Sequence, residues 1–126
     1  MAALAFFGGP REFSHHYCDC DSWVDVLHKL LVLQDGSVMY QDRDSGERES
    51  AQLNMEMPCS TEILYRGQHT MEGNVLRLTA EEQCDLTKDK AGQTWEKLDT
   101  PQTFVWTVSE DKSTVKKEFH CKFTCK

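Results

Sequence analysis

The chain has 126 residues, of which 39% are hydrophobic and 28% charged, a composition typical of one folded domain and unlike that of a disordered segment. Its net charge of −7, from 21 acidic and 14 basic side chains, argues against nucleic acid as a partner because such a field repels phosphates. The longest apolar runs fall short of the roughly 20 residues that a bilayer-spanning helix needs, so a membrane is not expected as a partner either.

Residues 1–21 are predicted to form an N-terminal arm that covers one end of the domain. Gly8-Gly9-Pro10 interrupts regular structure there. The apolar stretch before it has no basic flank and is shorter than the apolar core of about 7–15 residues in a signal peptide. We therefore expect a cytoplasmic protein, whose six cysteines are thiols rather than disulfides.

Residues 22–42 carry two conflicting patterns. Helical spacing relates five apolar residues: Trp23, Val26, Leu27, Leu30 and Leu31. Asp35-Gly36 between two apolar runs is instead typical of a β-hairpin turn. We predict a short helical turn near 22–28, followed by strands near 29–34 and 37–42.

From residue 49 onward, apolar and polar side chains alternate with the period of two that is typical of an antiparallel sheet with one buried face. After a polar loop at 43–48, this alternation predicts strands near 49–57, 61–71, 75–81, 93–98, 103–109 and 113–124. Pro58 is expected to end the first of them, and Pro101 precedes the strand near 103–109. About eight strands with short connections predict an all-β, up-and-down meander that closes into a single barrel over residues 1–126.

One hairpin in this meander resembles a known family. Residues Gly67–Leu78 read Gly-Gln-His-Thr-Met-Glu-Gly-Asn-Val-Leu-Arg-Leu. This run resembles the Gly-x-aromatic-x-x-x-Gly-Asn-x-Leu-x-Leu hairpin of lipocalin-like (calycin) barrels, with His69 at the aromatic position. Of the lipocalin N-terminal Gly-x-Trp, only Trp23 is present. The resemblance implies a barrel whose interior holds a small apolar or amphipathic ligand.

A ligand pocket inside such a barrel would be lined by apolar and aromatic side chains from the inward faces of the strands. Lys117 shares such a face and could meet an anionic head group. The candidate ligand-binding residues are Tyr65, His69, Met71, Phe104, Trp106, Lys117 and Phe119. If the same side chains form a packed core instead, the solid barrel would act as a protein-interaction or scaffold subunit, with the N-terminal arm as its docking element.

Histidines and cysteines near the two ends of the chain suggest a second alternative, a zinc-stabilised domain. The candidate ligands are His15, His16, Cys18, Cys20, His120, Cys121 and Cys125. The spacing argues against it, because Cys121 and Cys125 would be about 13 Å apart on an extended strand. Both also share a face with Phe119 and Phe123, where a thiol packs as a small hydrophobe. The main interpretation therefore includes no metal and no other cofactor.

The sequence contains no motif that indicates catalysis. Gly-x-Ser-x-Gly, the phosphate-binding loop and Gly-x-Gly-x-x-Gly are all missing from it. His69 near Tyr65, with Cys59 upstream, is the nearest approach to an acid–base or nucleophile pair. We predict a binding module without enzymatic activity.

Overall fold

The computed structural model describes residues 2–19, 24–50 and 55–117. A short helix, α1, covers Ala3–Phe7, and seven strands follow: β1 Arg11–Asp19, β2 Val24–Val32, β3 Val38–Ser50, β4 Met55–Glu72, β5 Val75–Asp85, β6 Glu96–Val108 and β7 Val115–Lys117. The strands are antiparallel, neighbour one another in chain order and form a nearly closed barrel. The predicted all-β meander is confirmed. No helix within these stretches is long and apolar enough to cross a membrane.

The N-terminal third differs from the prediction. β1, predicted as part of an arm, pairs with β2 along its whole length, from Arg11↔Val32 to Asp19↔Val24. The helical turn predicted near 22–28 is wrong for residues 24–28, which belong to β2, and the short N-terminal helix is α1 instead. Burial of His28, Leu30 and Val32 at alternate positions explains the result, because this period of two suits a strand that packs one face on the core.

Three strands, β3, β4 and β6, run through breaks that the sequence predicted. β3 continues across the predicted loop at 43–48, and Pro58 lies within β4, opposite Glu47 of β3. Pro101 lies within β6, where the pairing with β5 jumps from Ala80↔Gln102 to Glu82↔Lys97. A proline is tolerated at such an irregularity because its missing N–H removes no regular ladder bond there. The predicted strands near 93–98 and 103–109 are therefore one strand.

The β4–β5 hairpin includes a close backbone approach at Gly67. The register of the two strands shifts between Arg66 and Gly67. A Cβ atom on Gly67 would collide with the carbonyl oxygen of Thr79 and lie 2.8 Å from the backbone nitrogen of Glu81. Glycine is required here because any side chain would force the two strands apart. This contact gives a structural reason for the first glycine of the lipocalin-like hairpin pattern.

The barrel interior is packed around four aromatic rings, which we call the aromatic centre: Tyr40, Tyr65, Phe104 and Trp106. Tyr40 is 0% exposed, and its ring centroid lies 4.6 Å from that of Phe104 and 5.3 Å from that of Trp106. Tyr65 stacks on Tyr40 with a centroid separation of 6.0 Å, and its ring centroid lies 5.0 Å from that of Phe104. These offset and edge-on contacts fill the middle of the barrel with close-packed side chains.

Helix α1 packs against the end of the barrel that carries the β2–β3, β4–β5 and β6–β7 turns. Its residues Ala3 and Phe7 are buried, and the Phe7 ring lies 5.3 Å from that of Phe13. The backbone N–H of Ala3 donates to Nε2 of His69 at 3.1 Å, and Nζ of Lys112 donates to the carbonyl oxygen of Phe6 at 2.9 Å. We call this helix, with these contacts, the α1 plug.

Candidate ligand-binding site

A cavity lies between the two edge strands of the sheet. In the described part of the chain β1 and β7 are the first and last strands of the sheet order. The space between them has a volume of about 630 Å³, which is within the range of small-molecule pockets. We call it the seam cavity; its lining residues are Glu12, Phe13, Ser14, His15, His28, Leu30, Trp106, Ser113, Thr114, Val115, Lys116 and Lys117. Ser14 and Lys116 are exposed, so the cavity reaches the protein surface.

The inner wall of the seam cavity is apolar. Leu30 and Trp106 are each 2% exposed and project from strands β2 and β6. Phe13 and Val115, both half-buried, continue this wall on the two edge strands. Trp106 also contacts Tyr40, so the wall rests on the aromatic centre and has little freedom to collapse into the cavity.

Lys117 brings a positive charge to this wall. It is half-buried, and its Nζ lies 5.2 Å from the ring centroid of Tyr40 and 5.6 Å from that of Phe104. Both distances are within the range of cation–π contacts, which hold an ammonium group over the faces of aromatic rings. The charge therefore lies beside the aromatic centre rather than extending away from the barrel.

Two histidines add polar groups to the cavity lining. His28 is 8% exposed, and its Nε2 lies 3.3 Å from Oδ1 of Asp42 on the neighbouring strand. The edge of its ring faces Tyr40 at a centroid separation of 5.5 Å. His15 is exposed on β1, directly opposite His28 in the β1–β2 ladder. The cavity thus combines an apolar wall with imidazole and ammonium groups, which suits a ligand that has one apolar and one polar part.

The structure separates the seven predicted ligand residues. Trp106 and Lys117 line the seam cavity, whereas Tyr65 and Phe104 belong to the aromatic centre behind it. Met71 is buried near the α1 plug, and His69 is the plug's hydrogen-bond acceptor. Burial lowers the pKa of His69, which keeps its imidazole neutral and able to accept that hydrogen bond. Phe119 lies outside the described residues.

Ten of the twelve described lining residues were not among the predicted ligand residues, and three of these ten are the buried or half-buried ones on β1 and β2: Phe13, His28 and Leu30. Phe13 falls in the segment that was predicted to be an arm, and the other two fall at the change from predicted helical turn to predicted strand. The period-two spacing of His28, Leu30 and Val32 is the sequence signal that favours a single strand over residues 24–32.

The zinc alternative stays a prediction. Among residues 2–19, 24–50 and 55–117, no group of three or more His, Cys, Asp or Glu side chains is arranged to hold a metal ion. His15 lies on the cavity rim, and the backbones of His16 and Cys18 lie in β1. The other predicted ligands fall outside the described residues: Cys20, His120, Cys121 and Cys125. Cys84 is a free, buried thiol on β5, and its burial raises the pKa of the thiol.

No protein-family model, no curated protein and no solved structure matches this chain. Its functional interpretation therefore rests on the chemistry of the seam cavity and of the residues around it.

Proposed function

We propose that this protein is a non-enzymatic binding module that holds a small, largely apolar ligand in the seam cavity. The volume of about 630 Å³ between β1 and β7 is the observation that carries the proposal, because close-packed proteins rarely keep a space of this size without a use for it. The apolar wall would contribute affinity through removal of ligand surface from water. The polar groups of the lining would set its orientation.

Within this proposal the barrel is lipocalin-like, but the ligand would not lie in the middle of the barrel, where the resemblance places it. The Gly67–Leu78 hairpin supports the likeness, since its pattern coincides with a real close approach of β4 and β5. The aromatic centre occupies the middle of the barrel, so the ligand would lie at the side, between the edge strands. Access would then be lateral.

A dye titration with matched tryptophan variants tests the proposal. Saturable binding of an environment-sensitive apolar dye is expected for the native protein. Thr114→Trp adds bulk at the cavity lining and should weaken dye binding at least about tenfold, equivalent to roughly 1.4 kcal/mol. Thr107→Trp, on the exposed face of the adjoining strand β6, is the control and should leave binding unchanged. No saturable site in the native protein, or equal effects of the two variants, would contradict the proposal.

A second candidate function is an interaction subunit with a solid core. The aromatic centre favours it, because a filled interior needs no ligand for stability. The two candidates differ in one measurement: native mass spectrometry of gently purified protein should find a bound small mass under the first candidate. A protein that shows no bound small mass, and that keeps a larger protein partner through purification, would support the second candidate.

A further inference from the structure

The cavity lining is more basic than the chain as a whole. The protein carries a net charge of −7 with its histidines neutral, whereas the described residues of the cavity lining include two lysines, Lys116 and Lys117, and one carboxylate, that of Glu12. Nζ of Lys29 lies 3.3 Å from Oε1 of Glu12 and offsets that one negative charge. An anion that approaches the acidic surface would therefore meet a locally favourable field only where such basic groups gather.

Lys117 places one of these positive charges beside the apolar wall of the cavity. Its ammonium group lies over the faces of Tyr40 and Phe104, and Lys117 also lines the cavity. Lys116, its neighbour in β7, is exposed, as expected for alternate residues of a strand. An apolar group packed on Trp106 would have Lys117 on the same inward face of the sheet, because the two residues are directly paired in the β6–β7 ladder.

From this geometry we infer that the ligand of the seam cavity is an anionic amphiphile, whose carboxylate or similar anion pairs with Lys117 while its apolar part packs against Trp106 and Leu30. The inference rests on the proposed function and adds the chemical class of the ligand. Charge-assisted hydrogen bonds between an ammonium and a carboxylate are stronger than neutral ones, and partial burial reduces their screening. His15 and His28 place imidazole rings on the β1–β2 side of the cavity.

The test compares a medium-chain alkyl carboxylate with the alcohol of the same chain length, by calorimetry or dye displacement on the full chain. The carboxylate is expected to bind about tenfold more tightly than the alcohol. Lys117→Met should remove that advantage without changing alcohol binding by more than about twofold, and Lys117→Arg should keep most of it. Lys97→Met, on exposed β6, is the matched control and should leave both affinities unchanged.

The possible outcomes separate the inference from the proposed function. If acid and alcohol bind equally well and Lys117→Met affects neither, the anionic class is wrong while the cavity remains a ligand site. If neither compound binds, both proposals fail. Added salt gives a second readout, since it should weaken carboxylate binding and leave alcohol binding nearly constant. Alcohol binding by Lys117→Met also verifies that the variant has kept its cavity.

Discussion

The β4–β5 side of the barrel and its seam side are built in opposite ways. On the first, backbone pairs run from Ile63↔Asp85 to Glu72↔Val75 with one register shift, and at Gly67 the strands approach too closely to admit a Cβ atom. On the second, the described part of β7 has three residues, and the seam cavity lies between them and β1. The candidate site therefore lies where the continuous hydrogen-bonded ladder between the described strands ends.

The α1 plug contacts both sides of the barrel, through His69 on β4 and Phe13 on β1, and removal of its main anchor should have the largest effect. Phe7→Ala deletes a ring that is 5% exposed and packed on Phe13, so we expect a loss of about 3 kcal/mol in the free energy of unfolding. Phe6→Ala, at a half-buried neighbour, is the matched control and should lose less. Urea titrations measure both. Equal losses would show that the helix acts through general apolar contact rather than through the Phe7 anchor.

The close approach of β4 and β5 predicts the next largest effect. Gly67→Ala would force its Cβ against the backbone of Thr79 and Glu81, where no side-chain rotation relieves the collision. We expect a loss of about 2 kcal/mol, with dye binding at the seam cavity retained while the protein is folded. Gln68→Ala, at the exposed next residue of β4, is the control. A neutral Gly67→Ala would mean that the two strands can separate at no cost, which contradicts a rigid β4–β5 side.

His69 should make the attachment of α1 depend on pH. Its pKa in the folded protein lies below the ordinary value of 6.5, so the folded state favours the neutral ring. The unfolded chain therefore binds the proton first as the pH falls. The stabilisation is complete above about pH 6.5 and is lost as the pH falls through the folded pKa.

Two substitutions at His69 separate its acceptor role from its titration. His69→Leu removes the acceptor for the N–H of Ala3 and should lower stability at pH 7.5 by about 1 kcal/mol. His69→Gln offers an amide oxygen and should retain much of that stability without the pH dependence. Denaturant unfolding at pH 7.5 and 5.5 measures both effects. A native pH dependence unchanged in His69→Gln would assign it to another histidine.

The smallest effect is expected on the seam side, in the β6–β7 turn that leads into β7. Asp111 accepts hydrogen bonds from the hydroxyls of Ser109 and Ser113, each at 2.7 Å, and these lower its pKa to about 2. Because the folded pKa lies below the ordinary 3.8, this stabilisation is present above about pH 3.8 and is lost as the pH falls through 2. Asp111→Asn should abolish that component of the acid transition and lower the Tm slightly at pH 7. Thermal unfolding between pH 2 and 5 measures it; an identical acid transition in both proteins would contradict the assignment.

The sequence predicted most of the sheet where alternation was regular. The alternation predicted a strand near 75–81, and Leu76, Leu78 and Ala80 are buried at alternate positions of β5 there. β1 was not predicted, because its polar residues show no regular alternation. It also pairs with β2, part of which was predicted to be a helical turn. The intrinsic propensity and the spacing of residues are properties of the local sequence, whereas pairing across the sheet determined that both β1 and β2 are strands.

The candidate site could be predicted less well than the sheet. Trp106 and Lys117 were expected on inward faces, but a cavity depends on which edge strands come together and how far apart they remain. Nothing in the spacing of β1 and β7 along the chain encodes that separation. The packing of the aromatic centre could not be predicted either, since inward aromatic residues are compatible with a hollow barrel and with a filled one.

Under the proposed function, the lateral position of the seam cavity has a consequence for the size of guest molecule that the protein would accept. A pocket reached through the mouth of a barrel limits its guest by depth, because the floor stops a long chain. A slot in the wall runs along the strands and opens outward, so width and thickness become the selective dimensions. Homologous series of guests should accordingly show affinity that levels off with length but falls sharply with branching.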